Sequence, residues 1–270
     1  AIELNPDYAL AYSNLGGILK DLGKLQDAEV ATRKAIKLNP DLAIAYYSLS
    51  LFKYFDDDDK KCRDILFSKN LLQNKSKKDE VNIYFARSNI LHNESNFKES
   101  SKYLQLANNL NQNLNPTNLG DLLKQSKELM MASNEEEINE NEHTNFPCSI
   151  FIVGMPRSGS TLLESILSMN NHVEDLGEKN ILAESFLKWK TSRNKSNLAE
   201  LYFEKTNTSI NELRTTTNKC LYNYIYVGII STQIPNTKII HCFRNPLDNI
   251  LSIYRTKFAQ GNEYSSSLVD

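Results

Sequence analysis

The 270-residue chain holds no uninterrupted run of about 18 apolar residues, so no segment of it reads as a helix that crosses a bilayer. It has four cysteines, Cys62, Cys148, Cys220 and Cys242, with neither CxxC spacing nor a neighbouring histidine cluster. That excludes the common zinc and redox motifs and points to free thiols in a reducing compartment, with a cytoplasmic location expected. Excess charge of one sign is also missing: 31 Lys and Arg stand against 33 Asp and Glu, a net charge of -2. No general nucleic-acid or anionic-membrane surface follows from such a balance, and any anion site must be local. No charged-then-apolar leader opens the chain. The first residues, AIELNP, read instead as the tail of a repeat begun further upstream. What is present is a globular composition, 40% hydrophobic, over a length that suits two modest cores.

The tetrapeptide LNPD occurs at Leu4 to Asp7 and again at Leu38 to Asp41, 34 positions later. Between the copies, Tyr12, Leu15, Gly16 and Leu19 fall on one face of a first helix, and Ala28, Thr32 and Ala35 on one face of a second. Small residues at Gly16 and Ala28 let the two helices approach, Asp7 is expected to cap the first, and Gly23 to turn the chain between them. The pattern resembles the tetratricopeptide repeat, a helical hairpin of this period. A degenerate copy starts at Ala43, with Tyr46 and Leu49 in register and a turn lengthened by FDDDDKK. A third runs from Val81 to Asn111 with Tyr84, Leu91, Ser100, Leu104 and Ala107 in the same slots. Residues 1–111 therefore read as a short solenoid whose concave side suits a protein or peptide partner, or which only packs on its neighbour or self-associates.

Residues 112–146 break the rhythm. A helix is expected around Leu122 to Met131, followed by the acidic SNEEEINENEHTN, a solvated linker in which His143 has no assigned role. From residue 147 the period changes again. SIFIV is a continuous strand-type run, GMPRSGST a loop, and LLESILSM a helix. The logic recurs later: KIIHCF reads as a buried strand and NPLDNILSIYRTKF as a helix, with Asn245 as its cap, Pro246 in its first turn and Asp248 at its positive end. Two strand–loop–helix units imply a parallel sheet flanked by helices, so the fold class is an α-helical solenoid followed by an α/β domain over 147–270. His241 and Cys242 sit next to each other in the second strand and point to opposite faces, which makes a poor nucleophilic dyad; both are expected in the core.

The loop carries the chemistry. Gly154 and Gly159 have the spacing of the phosphate loop GxxxxGK[ST], and allow backbone N–H groups to converge on an oxyanion at a helix N-terminus. The lysine that reaches the outer phosphates of a triphosphate is absent, since Ser160 stands in its place. Arg157 inside the loop and the hydroxyls of Ser160 and Thr161 suit a smaller anion held by a guanidinium fork, with no metal expected.

PRSGSTLL after a strand resembles the 5′-phosphosulfate loop of sulfotransferases, and is nearest to the tyrosylprotein branch and to the bacterial tetratricopeptide-fused members. The resemblance implies 3′-phosphoadenosine 5′-phosphosulfate as co-substrate, held by Arg157, Ser158, Gly159, Ser160 and Thr161. It implies further that Arg244 and Ser252, eight positions apart in FRNPLDNILS, clamp the 3′-phosphate. Glu178 in VEDLGEKN matches the family's general base, and Lys219 in TTTNKCLYN the lysine that stabilises the leaving bridging oxygen, although Leu221 replaces the usual proline there. Arg157 also stands among the catalytic cations. A domain of this type needs roughly 250 residues, so the chain is expected to be a fragment cut at both ends, with weak donor binding. The acceptor hydroxyl, on a protein tyrosine or a glycan, is not readable. Two rivals stay open at this point: a degenerate P-loop kinase, which calls for an aspartate ending an apolar strand, and a repeat scaffold with an inactive nucleotide-binding domain.

Overall fold

The structure, a computed structural model, describes residues 2–52, 60–135, 146–191, 197–206, 214–258 and 262–268. The acidic stretch from residue 136 on, with His143, and the aspartates of the 53–59 turn lie outside the described residues. Two compact units emerge: residues 1–117 with 254–270, and residues 118–253.

In the first unit, α1 (Ala9–Asp21) and α2 (Leu25–Leu38) form the expected hairpin. Ala28, Thr32 and Ala35 are fully buried in it, and a Cβ on Gly16 would meet Thr32 Oγ1 at 2.4 Å. Gly16 is what lets the helices touch. Gly23, at φ +76°, closes α1, and Lys24 N–H donates to Leu19 O. Asp7 does not cap α1. The preceding Asn5 accepts from Asp7 N–H, Asn39 accepts from Asp41 N–H in the same way, and each LNPD is thus an Asx turn that leads into a helix. The second copy gives α3 (Ala43–Ser50) and a short α4 (Lys60–Phe67), with Tyr46 and Leu49 buried as expected. Buried Arg87 donates to Leu66 O and Ser68 O, which satisfies the carbonyls left open at the end of α4. The third copy gives α5 (Lys77–Asn93) and α6 (Phe97–Leu114), where Val81, Leu91, Ser100, Leu104 and Ala107 are buried.

Past Ile253, the described residue Tyr254 joins Val81, Phe85, Leu104 and Ala107 in one apolar cluster of the first unit. Asn108 Nδ2 donates to Tyr254 O at 2.9 Å and Asn111 Nδ2 to Ser266 Oγ at 2.7 Å. Arg255 meets His92 Nε2 at 2.8 Å, and Lys257 donates to Asn82 Oδ1 and lies over the Tyr47 ring.

The second unit starts with α7 (Leu119–Glu135), longer than expected and no mere linker: Leu129 is buried in the unit's core with Phe151, Leu182, Leu198 and Tyr202. Four strands come next, β1 (Ser149–Gly154), β2 (Val173–Asp175), β3 (Thr215–Asn218) and β4 (Thr237–Cys242), in the order β2-β3-β1-β4 with every pairing parallel. Helix α8 (Ser160–Leu167) links β1 to β2, α9 (Ile181–Thr191) and α10 (Leu198–Thr206) lead to β3, and α11 (Val227–Gln233) leads to β4. Helix α12 (Pro246–Tyr254) ends four residues short of the predicted limit. Strand β4 is not buried as its composition suggests. Among the described residues it is an edge strand paired only with β1, and His241 is exposed rather than in the core.

Candidate functional site

Because all four strands run parallel, their carboxyl ends share one edge of the sheet, and a sequence-predicted residue stands just beyond each of them. Arg157 comes after β1, Glu178 after β2, Lys219 after β3 and Arg244 after β4. The chain order jumps at β1, which has β3 on one side and β4 on the other. In an open parallel sheet such a jump leaves a crevice beyond the strand ends, where ligands are bound.

The loop after β1 is held by its own backbone and by α12. Gly154 has φ +142°, and a Cβ there would stand 2.2 Å from Cys242 O on β4, so only glycine allows the loop to leave the sheet here. Arg157 itself adopts φ +66°, and Gly159, at φ +97°, is the N-cap residue of α8. Non-glycine residues in the left-handed region cost of order 1–3 kcal/mol and persist where surrounding contacts enforce them. Two such contacts come from α12. Asn249, buried, donates from Nδ2 to Pro156 O at 2.9 Å, and Arg157 Nε donates to Ser252 Oγ at 3.3 Å. Two residues that the sequence places in separate motifs therefore touch.

Ser158 Oγ is buried and has no hydrogen-bond partner among the described residues. An orphaned hydroxyl at the mouth of a phosphate-type loop is what a ligand oxyanion would satisfy. Ser160 is buried at the start of α8, while Thr161 is exposed. Arg244 is exposed just beyond β4. Asn245 caps α12 as expected, accepting from Leu247 N–H and Asp248 N–H.

Glu178 and Lys219 form a second pair. Lys219 Nζ donates to Glu178 Oε1 at 2.5 Å, and the side chains are 5% and 70% exposed respectively. The buried ammonium thus reaches outward to a carboxylate at the surface. Lys219 N–H donates to Gly177 O, which fixes the two segments side by side despite the leucine at 221. Cys220 and Cys242 are both pushed up from the ordinary thiol range by burial, and neither is set up as a thiolate nucleophile. Among the described residues no cluster of His, Cys, Asp or Glu could hold a metal ion.

Sequence reading misses two residues of this site. Asn249 holds the loop through a contact that no local pattern encodes. Glu164 is buried one turn into α8 and accepts from Thr217 Oγ1 at 3.1 Å. The available signal was its position four residues after Ser160, which puts an acid on the inward face of an apolar helix.

Residues 147–270 match the model of the sulfotransferase family, and residues 9–42 match that of the tetratricopeptide repeat. The α/β part is thus similar to the sulfotransferase family, and the hairpin α1–α2 to the tetratricopeptide repeat. An uncharacterized protein of Aquifex aeolicus (strain VF5) is 33% identical over 131 residues, which cover 41% of this chain. The chain spans 17% of that relative's length.

Proposed function

We propose that the edge formed by the four strand ends binds 3′-phosphoadenosine 5′-phosphosulfate and passes its sulfuryl group to an acceptor hydroxyl, in the manner of the tyrosylprotein branch. The observation that carries this reading is the contact between Arg157 and Ser252, which draws together the loop proposed for the 5′-end of the donor and the helix proposed for its 3′-phosphate. The pieces fit an adenosine bisphosphate. An orphaned Ser158 hydroxyl and Arg157 suit one anionic end, and Arg244 with Ser252 suits the other.

When bound, the donor supplies a sulfuryl group and leaves as the bisphosphate. The protein's own part is positioning and charge. Glu178 takes the proton of the acceptor hydroxyl on Oε1, which it can do because 70% of its side chain is open to a substrate. Lys219, released from Glu178 as that carboxylate is protonated, offers its Nζ to the negative charge that develops on the leaving oxygen. Arg157, beyond the end of the neighbouring strand β1, shares that charge. The acceptor we favour is a tyrosine hydroxyl on a protein presented by the repeats. The compartment is taken to be the cytoplasm, in keeping with four free cysteines.

A kinase reading has little support, since β4 ends in Cys242 and is followed by Phe243 and Arg244 rather than by an aspartate. The test compares 3′-phosphoadenosine 5′-phosphate with adenosine 5′-phosphate by calorimetry. The bisphosphate should bind at least about tenfold more tightly, a difference of about 1.4 kcal/mol, and Arg244→Ala should erase the preference. Equal binding of both nucleotides to the unmodified chain would sink the proposal.

A further inference from the structure

Resting on the roles just given to Glu178 and Lys219, the site poses a question of charge. Lys219 is nearly fully buried, and its ion-pair partner Glu178 is the group that becomes neutral when it accepts a proton. At that moment the ammonium would be left in a low-dielectric pocket without a counter-ion, a costly arrangement. Glu164 lies close enough to answer it. Its side chain is buried on α8, accepts from the Thr217 hydroxyl two residues before Lys219 and from the Gly177 N–H one residue before Glu178, and feels the Lys219 charge. The backbone closes the circle, because Leu176 N–H donates to Thr217 O and Lys219 N–H to Gly177 O.

We propose that Glu164 is a positioning residue: its buried carboxylate ties the turn that presents Glu178 to the strand that presents Lys219, and it remains as the counter-charge of Lys219 while Glu178 holds the proton. The charged groups that face it are Lys219, which favours its ionised form, and Asp175 at the end of β2, which opposes it. Burial is the strongest influence and holds the Glu164 carboxyl above the usual range, while the Thr217 hydroxyl, Lys219 and the Gly177 amide act the other way. A residue that merely filled space in α8 would titrate without regard to Lys219.

The experiment tracks the Glu164 carboxyl carbon by NMR in glutamate-labelled protein, assigned through Glu164→Gln, in the full chain with and without Lys219→Met. The expected result is a midpoint above that of an exposed glutamate, which Lys219→Met raises further by about one pH unit, tenfold in the dissociation constant. Lys219→Arg, which keeps the charge, should leave the midpoint near that of the unmodified chain. Thr217→Val should raise it as well, so the proposal can be judged if Lys219→Met does not fold. A midpoint indifferent to both Lys219→Met and Thr217→Val would overturn it. Binding of 3′-phosphoadenosine 5′-phosphate is measured on the same samples. Loss of that binding with the coupling intact would count against the donor reading, and loss of the coupling with binding intact against the role of Glu164.

Discussion

Gly154 and Gly159 bracket the phosphate-type loop, and the two differ in what a methyl group would meet. At Gly154 it would strike Cys242 O at 2.2 Å in addition to the strain of φ +142°, whereas at Gly159, φ +97°, nothing lies within 4 Å. Gly159→Ala therefore costs strain alone, about 1–2 kcal/mol. Gly154→Ala adds the separation of β1 from β4 and should cost about 3 kcal/mol or more. Urea unfolding of both variants checks the ranking, and equal losses would contradict it. Ser158 allows a complementary test. Its hydroxyl has no partner among the described residues, so Ser158→Ala should leave the melting temperature unchanged or slightly higher. Affinity for 3′-phosphoadenosine 5′-phosphate should fall about tenfold, the worth of one hydrogen bond to a charged group. A stability loss without an affinity loss would show that the hydroxyl serves the fold instead.

Helices α1 and α2 touch through Gly16, and Gly16→Val would force its side chain into Thr32 Oγ1 and Ala28 O. A loss of about 1–3 kcal/mol in denaturant unfolding is expected. Segment 254–258 brings a pH dependence to the same unit. His92 is held below its ordinary value of 6.5, first by burial and then by the Arg255 guanidinium. The folded chain resists the proton that the unfolded chain accepts, so this contribution to stability is present above pH 6.5 and is lost as pH falls through the depressed value. Melting between pH 7.5 and 5.5 should fall less in His92→Gln than in the unmodified chain, and parallel curves would refute the assignment.

These elements also mark how far the sequence was readable. The repeat hairpins, β1 and the start of α12 come from spacing, caps and glycine positions, all local signals. The end of α12 does not, since the side chains of Arg255 and Lys257 just past it are claimed by Asn82, His92 and Tyr47, far away in the chain. Edge exposure of β4 was hidden for the same reason: KIIHCF is apolar enough for a central strand, and only the sheet order makes it an edge.

Across the whole molecule, the four residues read from separate motifs, Arg157, Glu178, Lys219 and Arg244, come to the same sheet edge because every strand is parallel. Half of this was legible, since SIFIV before Arg157 and KIIHCF before Arg244 read as strands, whereas the short β2 and β3 before Glu178 and Lys219 carry no such signature. The ties between them, Asn249 to Pro156 and Glu164 to Thr217, were not, for they depend on which helix faces which strand. With a net charge of -2, the chain has no general attraction for anions, and the proposal assigns the selective binding of one to this edge. The most direct measurement is thermal unfolding in the presence of 3′-phosphoadenosine 5′-phosphate and, separately, of ATP with Mg²⁺, for the unmodified chain and Arg244→Ala. The account predicts stabilisation by the bisphosphate alone, about 2.7 kcal/mol at a hundredfold excess over its dissociation constant, and its loss in Arg244→Ala. Stabilisation by ATP and Mg²⁺ with none from the bisphosphate would contradict it.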